Sequence, residues 1–322
     1  MSAPRSSGPL RRVGVVGVGR MGAPMAGHLV AAGLEVEVYD AREEAARAVV
    51  RRYPAAGAAP SLAALAARAD AVVTMLPDGS VVRTVALGGE RGGDSLSAGW
   101  AERAGNGGRR PLLVDMSSSH PSGTRALGET VASLGVAMVD APVSGGVRGA
   151  EAGSLAIMAG GDPEAVDRCE PLFAAVGRTV VCTGALGSGH ATKALNNFLS
   201  ASAMIAATEA ALVARRFGLE PRLVIEAVNH STGRSSSTEE KFPRFVFSGE
   251  LNAGFALDLM LKDVACAVDL ARETGTPAPL ARATHELLAG AREDLPAGVD
   301  YMQIVRHFEA RAGSAIEAPP EN

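Results

Sequence analysis

The sequence predicts an α/β protein in two parts: a doubly wound parallel sheet, followed by an all-α domain built around one long central helix. Three observations carry this. The 322 residues suggest two domains at about 150 residues each. From residue 12 to about 182, short β-rich apolar runs alternate with stretches of helical spacing, as βαβ units require. After that the strands stop, and residues 190–217 form an Ala-rich run without Pro or Gly, long enough for about seven helical turns.

In chain order, RVGVVG, EVEVYD, AVVTML, LLVDM, VAMVDAP, LAIMAG and TVVCTG read as strands, short and bounded by glycine, proline or polar residues. Helical patterns fill 21–32, 42–52, 122–134 and 163–176 between them. Residues 88–110, rich in glycine and polar groups, read as an exposed surface loop held down by Trp100. Beyond the long helix come helical patterns at 221–230, 238–247, 256–274, 278–291 and 300–311. The domains are therefore expected at 12–184 and 185–312, with residues 1–11 and 313–322 disordered.

Apolar residues make up 47% and charged residues 20%, which excludes a disordered or fibrous chain. With a net charge of −4 and no basic stripe, neither nucleic acid nor an anionic membrane is the expected partner. No run approaches 18 uninterrupted apolar residues, so a small solute is the better partner. Cys169, Cys182 and Cys266 lie in apolar contexts without CxxC spacing and read as reduced core residues. The first eleven residues lack the apolar core of a signal peptide, so the expected location is cytoplasmic. The six histidines are scattered without ligand spacing, and no metal is expected. Against 28 arginines there are three lysines, Lys193, Lys241 and Lys262. A lysine kept where arginine fills nearly every basic position invites a role specific to an amine, which can exchange protons as a guanidinium cannot; chance codon usage is the alternative.

The first apolar run leads directly into Gly17-Val18-Gly19-Arg20-Met21-Gly22, then a helix, then a second strand ending at Asp40. Gly17 permits the tight turn, Gly19 lets the backbone approach a pyrophosphate, and Gly22 lets the helix pack closely on the strand. This is the Rossmann-type dinucleotide fingerprint in full context, with Arg20 and Met21 inside the loop. Asp40 stands where a carboxylate accepts hydrogen bonds from the adenosine ribose and repels a 2′-phosphate, which favours NAD. Arg42 could hold that phosphate, so NADP stays open. Leu76, Pro77 and Ser117 are also counted with the cofactor contacts.

Asp140-Ala141-Pro142-Val143-Ser144-Gly145-Gly146 follows a strand, so Ser144 and the amides of Gly145 and Gly146 lie where open α/β sheets bind ligands. Two bare amides beside a hydroxyl make a carboxylate nest, or simply a turn. In GSGHATKALNN, residues 187–197, Lys193, Asn196 and Asn197 fall at i, i+3 and i+4 on one face near the start of the long helix. That polar face is either functional or solvated. Lys262-Asp263 opens a further helical pattern and also reads as a helix-end ion pair.

The segments GVGRMGAPMAGHL, DAPVSGGVRGAEAGSLAIMAGG, GSGHATKALNN and LKDVACAVD, in this order across about residues 12–310, resemble the motifs of the β-hydroxyacid dehydrogenases. That family includes 3-hydroxyisobutyrate dehydrogenase and tartronate semialdehyde reductase. The resemblance implies hydride transfer between the carbinol carbon of a small 3-hydroxy acid and NAD(P), and homodimers or homotetramers assembled through the helices. By motif position it implies Lys193 as the catalytic general acid–base, Ser144, Gly145 and Asn197 as substrate ligands beside the Gly146 amide, and Lys262 near the nicotinamide. The alternative is an NADPH-dependent reductase of small semialdehydes of the tartronate or succinic type. An imine reductase shares the two-domain plan but usually lacks the lysine. A non-catalytic dinucleotide-binding protein would be expected to have lost the lysine or the SGG turn. His28 departs from the family's usual Asn, and 88–110 is longer than usual. The segment 231–237, where the distal end of the substrate should be read, matches no subfamily: either Arg234 or Lys241 reads a second anionic group, or the stretch is a solvated loop.

Overall fold

The computed structural model describes residues 10–89, 92–105 and 110–317 and divides into two compact units, one ending at Lys193 and one beginning at Ala194. The first unit runs β1 (Arg12–Val16), α1 (Gly22–Ala31), β2 (Glu35–Tyr39), α2 (Glu43–Arg52), β3 (Gly57–Ala58), α3 (Leu62–Arg68), β4 (Ala71–Thr74), α4 (Gly79–Leu87), α5 (Leu96–Gly105), β5 (Leu112–Asp115), α6 (Pro121–Ser133), β6 (Ala137–Asp140), β7 (Val143–Ser144), α7 (Gly146–Glu151), β8 (Leu155–Gly161), α8 (Pro163–Arg168), α9 (Glu170–Val176) and β9 (Gly177–Gly184). α10 (Ser188–Phe217) begins in this unit and continues into the second. There follow α11 (Pro221–Asn229), a π-helical segment Ser237–Val246, α12 (Leu257–Glu273), α13 (Pro279–Asp294), a 3-10 turn Tyr301–Gln303 and α14 (Ile304–Ala312).

The sheet order is β3-β2-β1-β4-β5-β6-β8-β7, with β9 on β8. β1 to β6 pair in parallel, and β8 runs antiparallel to β6 and β7. The central strands are apolar throughout because helices cover both faces. Val13, Val15, Val73 and Val114 enter one core cluster, while Val16, Val72 and Leu113 enter another, as the period of two dictates. Strand order reverses between β1 and β4, which opens a crevice at their carboxyl ends where ligands of such sheets bind.

Four expectations are corrected. Residues 88–110 are not simply a loop, because 96–105 form α5, with Leu96, Trp100 and Arg103 buried at i, i+4 and i+7. Gly99 lies so close to α3 that a Cβ would come within 2.0 Å of the Ala63 carbonyl, so a glycine that suggests a loop serves helix packing. Arg103 donates to Asp70 at 2.7 Å and to the Arg68 carbonyl at 3.1 Å; residues 90–91 and 106–109 lie outside the described residues. At the N-terminus, Leu10 is buried in the core, and the amides of Arg11 and Arg12 donate to Asp70. At the C-terminus, Ile316 is buried and its amide donates to Glu309 at 2.8 Å. Packing thus reaches beyond the limits expected for the disordered ends, whose remaining residues, 1–9 and 318–322, lie outside the described ones. Cys169 and Cys266 are buried, but Cys182 is exposed, because β9 pairs only with β8 and leaves Val180 and Val181 exposed beside it.

The expected boundary at 184/185 falls nine residues short of the structural division, because the start of α10 is tied to the sheet of the first unit. By length and composition α10 could cross a membrane, but half of its apolar window is buried in the protein, as in the core helix of a globular unit. In the second unit, Met204, Leu212, Phe242, Met260, Leu288 and Met302 belong to one apolar core. The π-helical segment contains Pro243, which has no N–H to give the usual i→i−4 ladder.

Candidate active site

The glycine loop leaves β1 at Gly17, whose φ of +89° suits only glycine and whose Cβ would meet the Met75 carbonyl at 2.4 Å. A Cβ on Gly22 would lie 2.0 Å from the Gly17 carbonyl, whereas around Gly19 nothing lies within 4 Å. No side chain caps α1 and no acidic residue occupies its first turn, so the positive end of this helix faces outward without an internal anion. These features fit a dinucleotide, whose phosphates Gly19 and the amides at the start of α1 would hold. Arg20 is exposed and Met21 half-buried at the rim. Asp40, just past β2, accepts from the amides of Val18 at 3.0 Å and Arg42 at 2.9 Å. Each oxygen keeps a lone pair for a ribose hydroxyl. The Arg42 guanidinium, 78% exposed, stands 3.7 Å away.

Leu76 and Pro77 follow β4 along the same edge. Ser117 is buried, and its hydroxyl accepts from the Leu76 amide at 3.0 Å, so its side chain latches the β4 exit to the β5 exit. His28 donates from Nε2 to the Glu151 carbonyl at 2.9 Å and ties α1 to the end of α7.

Below this edge lies a knot of buried polar groups that the sequence reading did not name. Asp115, ending β5, accepts from the Thr74 hydroxyl at 2.9 Å, the Ser117 amide at 3.0 Å and the Ser119 hydroxyl at 2.7 Å. Asp140, ending β6, accepts from the amides of Gly187 at 2.7 Å and His190 at 2.8 Å. The His190 ring is fully buried; Nε2 donates to the Ser117 carbonyl at 3.1 Å, and Nδ1 meets the Thr124 hydroxyl at 2.8 Å. Burial pushes the Asp140 carboxyl up in pKa, opposed by His190 and the two amides. One signal was available: two apolar strands each end in an aspartate, and a buried carboxylate must find partners.

The knot fixes the first turn of α10, and Lys193, one turn past His190, is buried at 8% exposure. Ser144 ends β7 half-buried, and Gly145 and Gly146, at φ +129° and +60°, are exposed, so the SGG turn presents backbone at the sheet edge.

In the helical unit, Asn197 donates to Asp263 at 2.6 Å, and Asp263 pairs with Lys262 at 3.1 Å. Asn196 donates to the Asn197 side-chain oxygen at 3.1 Å. Lys262-Asp263 is therefore more than a helix-end pair, because the buried Asp263 orients the Asn197 amide. Residues 231–234 are exposed, Arg234 included, as a solvated loop would be; Lys241 is directed into the unit instead.

Residues 12–184 match the NAD binding domain of 6-phosphogluconate dehydrogenase, and residues 187–308 match the NAD-binding domain of NADP-dependent 3-hydroxyisobutyrate dehydrogenase. The chain is 34% identical over 305 residues to 2-(hydroxymethyl)glutarate dehydrogenase of Eubacterium barkeri, covering 95% of this chain and 97% of that one. It is 31% identical to 3-sulfolactaldehyde reductase of Escherichia coli K12, covering 94% and 97%. Among solved structures, 3-hydroxyisobutyrate dehydrogenase of Mycobacterium tuberculosis superposes with a TM-score of 0.81 at 30% identity, covering 93% of this chain and 99% of that one. With a dinucleotide-binding fold, an open glycine loop and full-length relatives of one kind, the chain belongs to the β-hydroxyacid dehydrogenases, enzymes that use NAD(P).

Proposed function

We propose that the protein moves a hydride between a small 3-hydroxy acid and NAD(P), with Lys193 as the general acid–base. The observation that carries this is Lys193 itself: the lone lysine of the first unit, buried, on a helix turn anchored by Asp140 and His190. When bound, the nicotinamide ring accepts or supplies the hydride. On the protein's side, the Ser144 hydroxyl and the Gly145 and Gly146 amides hold the substrate carboxylate. Asn197, oriented by Asp263, receives the substrate hydroxyl. Lys193 takes the hydroxyl proton during oxidation and returns it during reduction, while the fixed groups supply most of the advantage through position. In the reductive direction the same residues serve a semialdehyde. Asp40, its carboxylate held in place by two amides, supports NAD over NADP.

The test is reduced-nicotinamide absorbance with 3-hydroxyisobutyrate and 2-(hydroxymethyl)glutarate against both cofactors. Lys193→Ala and Lys193→Arg should both lose at least two orders of magnitude in turnover, about the worth of a general acid–base, while NAD binding persists; turnover at the wild-type rate in either would overturn the role.

Assembly of copies through the helices is supported by an exposed apolar stripe on α10: Leu195, Leu199, Val213 and Phe217, the last 81% exposed. Such a stripe on a soluble chain marks an interface. Light scattering should report a dimer or tetramer, shifted toward monomer by Phe217→Glu; a monomeric wild type would refute the assembly.

A further inference from the structure

Lys241 lies on the π-helical segment of the helical unit, the type of distorted helix that recurs at functional sites. Its side chain is half-buried, its Nζ donates to the Ser200 hydroxyl at 2.7 Å, and it stands 5.4 Å from the centre of the Tyr301 ring. Among the described residues no carboxylate pairs with it, and the adjacent Glu240 is exposed. The Tyr301 hydroxyl is also buried, beside the Ser200 hydroxyl, whose interaction with it opposes the rise in pKa that burial causes. One cation and two hydroxyls thus share a corner that contains no acceptor of matching charge. A half-buried ammonium that no carboxylate pairs with directly, the exposed Glu240 favouring its charge only weakly against burial, is costly, and an apolar side chain of the same length would fill the space without that cost. Burial pushes Lys241 down to about 8, which leaves it charged at neutral pH.

Ser200 is on α10 seven residues beyond Lys193 and three beyond Asn197, on the same helical face. We propose that Lys241, with Ser200 and Tyr301, forms an anion-recognising corner that selects 3-hydroxy acids bearing a second acidic group at their far end. The inference rests on reading Lys193 and Asn197 as the reacting end. Arg234, exposed on its loop, takes no part.

The test compares 2-(hydroxymethyl)glutarate, which has two carboxylates, with 3-hydroxyisobutyrate, which has one. Lys241→Met should raise KM for the diacid about 10- to 100-fold, the worth of a charged hydrogen bond, with kcat nearly kept and KM for the monoacid within about twofold. Ser200→Ala should act in the same direction, less strongly. Equal losses on both acids, or no loss on the diacid, would overturn the proposal. Independently of turnover, glutarate should raise the Tm of the wild type more than butyrate does, and this difference should vanish in Lys241→Met; its persistence, or no shift in the wild type, overturns the corner. If the wild type oxidises neither acid, the dehydrogenase reading fails by itself, and the glutarate shift still decides the corner.

Discussion

The polar knot beneath the sheet edge is buried and the Lys241 corner of the helical unit half-buried; both are polar, yet they are opposites in how their hydrogen bonds are used. Asp115 and Asp140 receive five hydrogen bonds from within the protein, three and two, and both His190 ring nitrogens are engaged. Around Lys241 the donors outnumber the acceptors. A saturated knot rigidifies, because every member is satisfied and removing one orphans the rest. An unsaturated corner keeps capacity for something that arrives from outside. On the proposed reading, the contrast separates residues that hold the site from residues that read the substrate: substitutions in the first should lower stability, and substitutions in the second should change selectivity.

Lys193, held by the knot but assigned to the chemistry, should show the largest effect. Lys193→Ala is expected to lower kcat by about a hundred- to ten-thousand-fold with an unchanged urea midpoint. Asp140→Ala attacks the knot directly, orphaning the buried amides of Gly187 and His190, and should cost about 2–4 kcal/mol in urea denaturation. A midpoint near the wild-type value would dissolve the distinction drawn above. Asp40→Ser is milder, since it removes one charge at a half-open rim; the NAD-to-NADP ratio of kcat/KM should fall about tenfold, or about 1.4 kcal/mol. Lys241→Met should leave the fold unchanged at pH 7 or stabilise it by about 1 kcal/mol.

For Lys241 the sign of the pH dependence is defined. Its pKa falls from 10.5 in the unfolded chain to about 8 when folded, so between these values the unfolded state holds the extra proton. Wild-type stability relative to Lys241→Met should therefore be lowest below pH 8 and rise as the pH climbs toward 10.5. The charged or titratable neighbours, Glu240 and Tyr301, stay in one form across that window or lie on the surface. Urea midpoints at pH 7 and pH 10 check this, and a wild-type stability that falls relative to Lys241→Met as the pH rises would contradict an ammonium penalised by burial.

Much of the first unit was legible because its signals are local. The run of strand, glycine loop, helix and acid states a geometry that backbone sterics alone enforce, and the structure has Gly17, Gly19 and Gly22 in the three different surroundings expected. α5 was missed because composition cannot distinguish a glycine that loosens a chain from one, like Gly99, that lets two helices approach. The knot was missed for a different reason: Asp115, Asp140 and His190 are separated by 25 and 50 residues, and only the sheet register and the start of α10 bring them together. Asp263 was seen beside Lys262, but its second partner, Asn197, is 66 residues away. Cys182 misled because an edge strand and an inner strand share the same apolar composition.

The unbroken path of α10 from Ser188 to Phe217 makes it a ruler as well as a scaffold. His190, Lys193, Asn197 and Ser200 are marks on one rod, and their mutual bearings depend on a count of residues rather than on any side chain. Inserting a single residue between Lys193 and Asn197 would turn every later mark by about 100° while leaving composition, burial and charge almost unaltered. The chemistry proposed at one end and the substrate choice proposed further along would thus be kept in phase by arithmetic: the helix tolerates exchanges of letters far better than changes in their number.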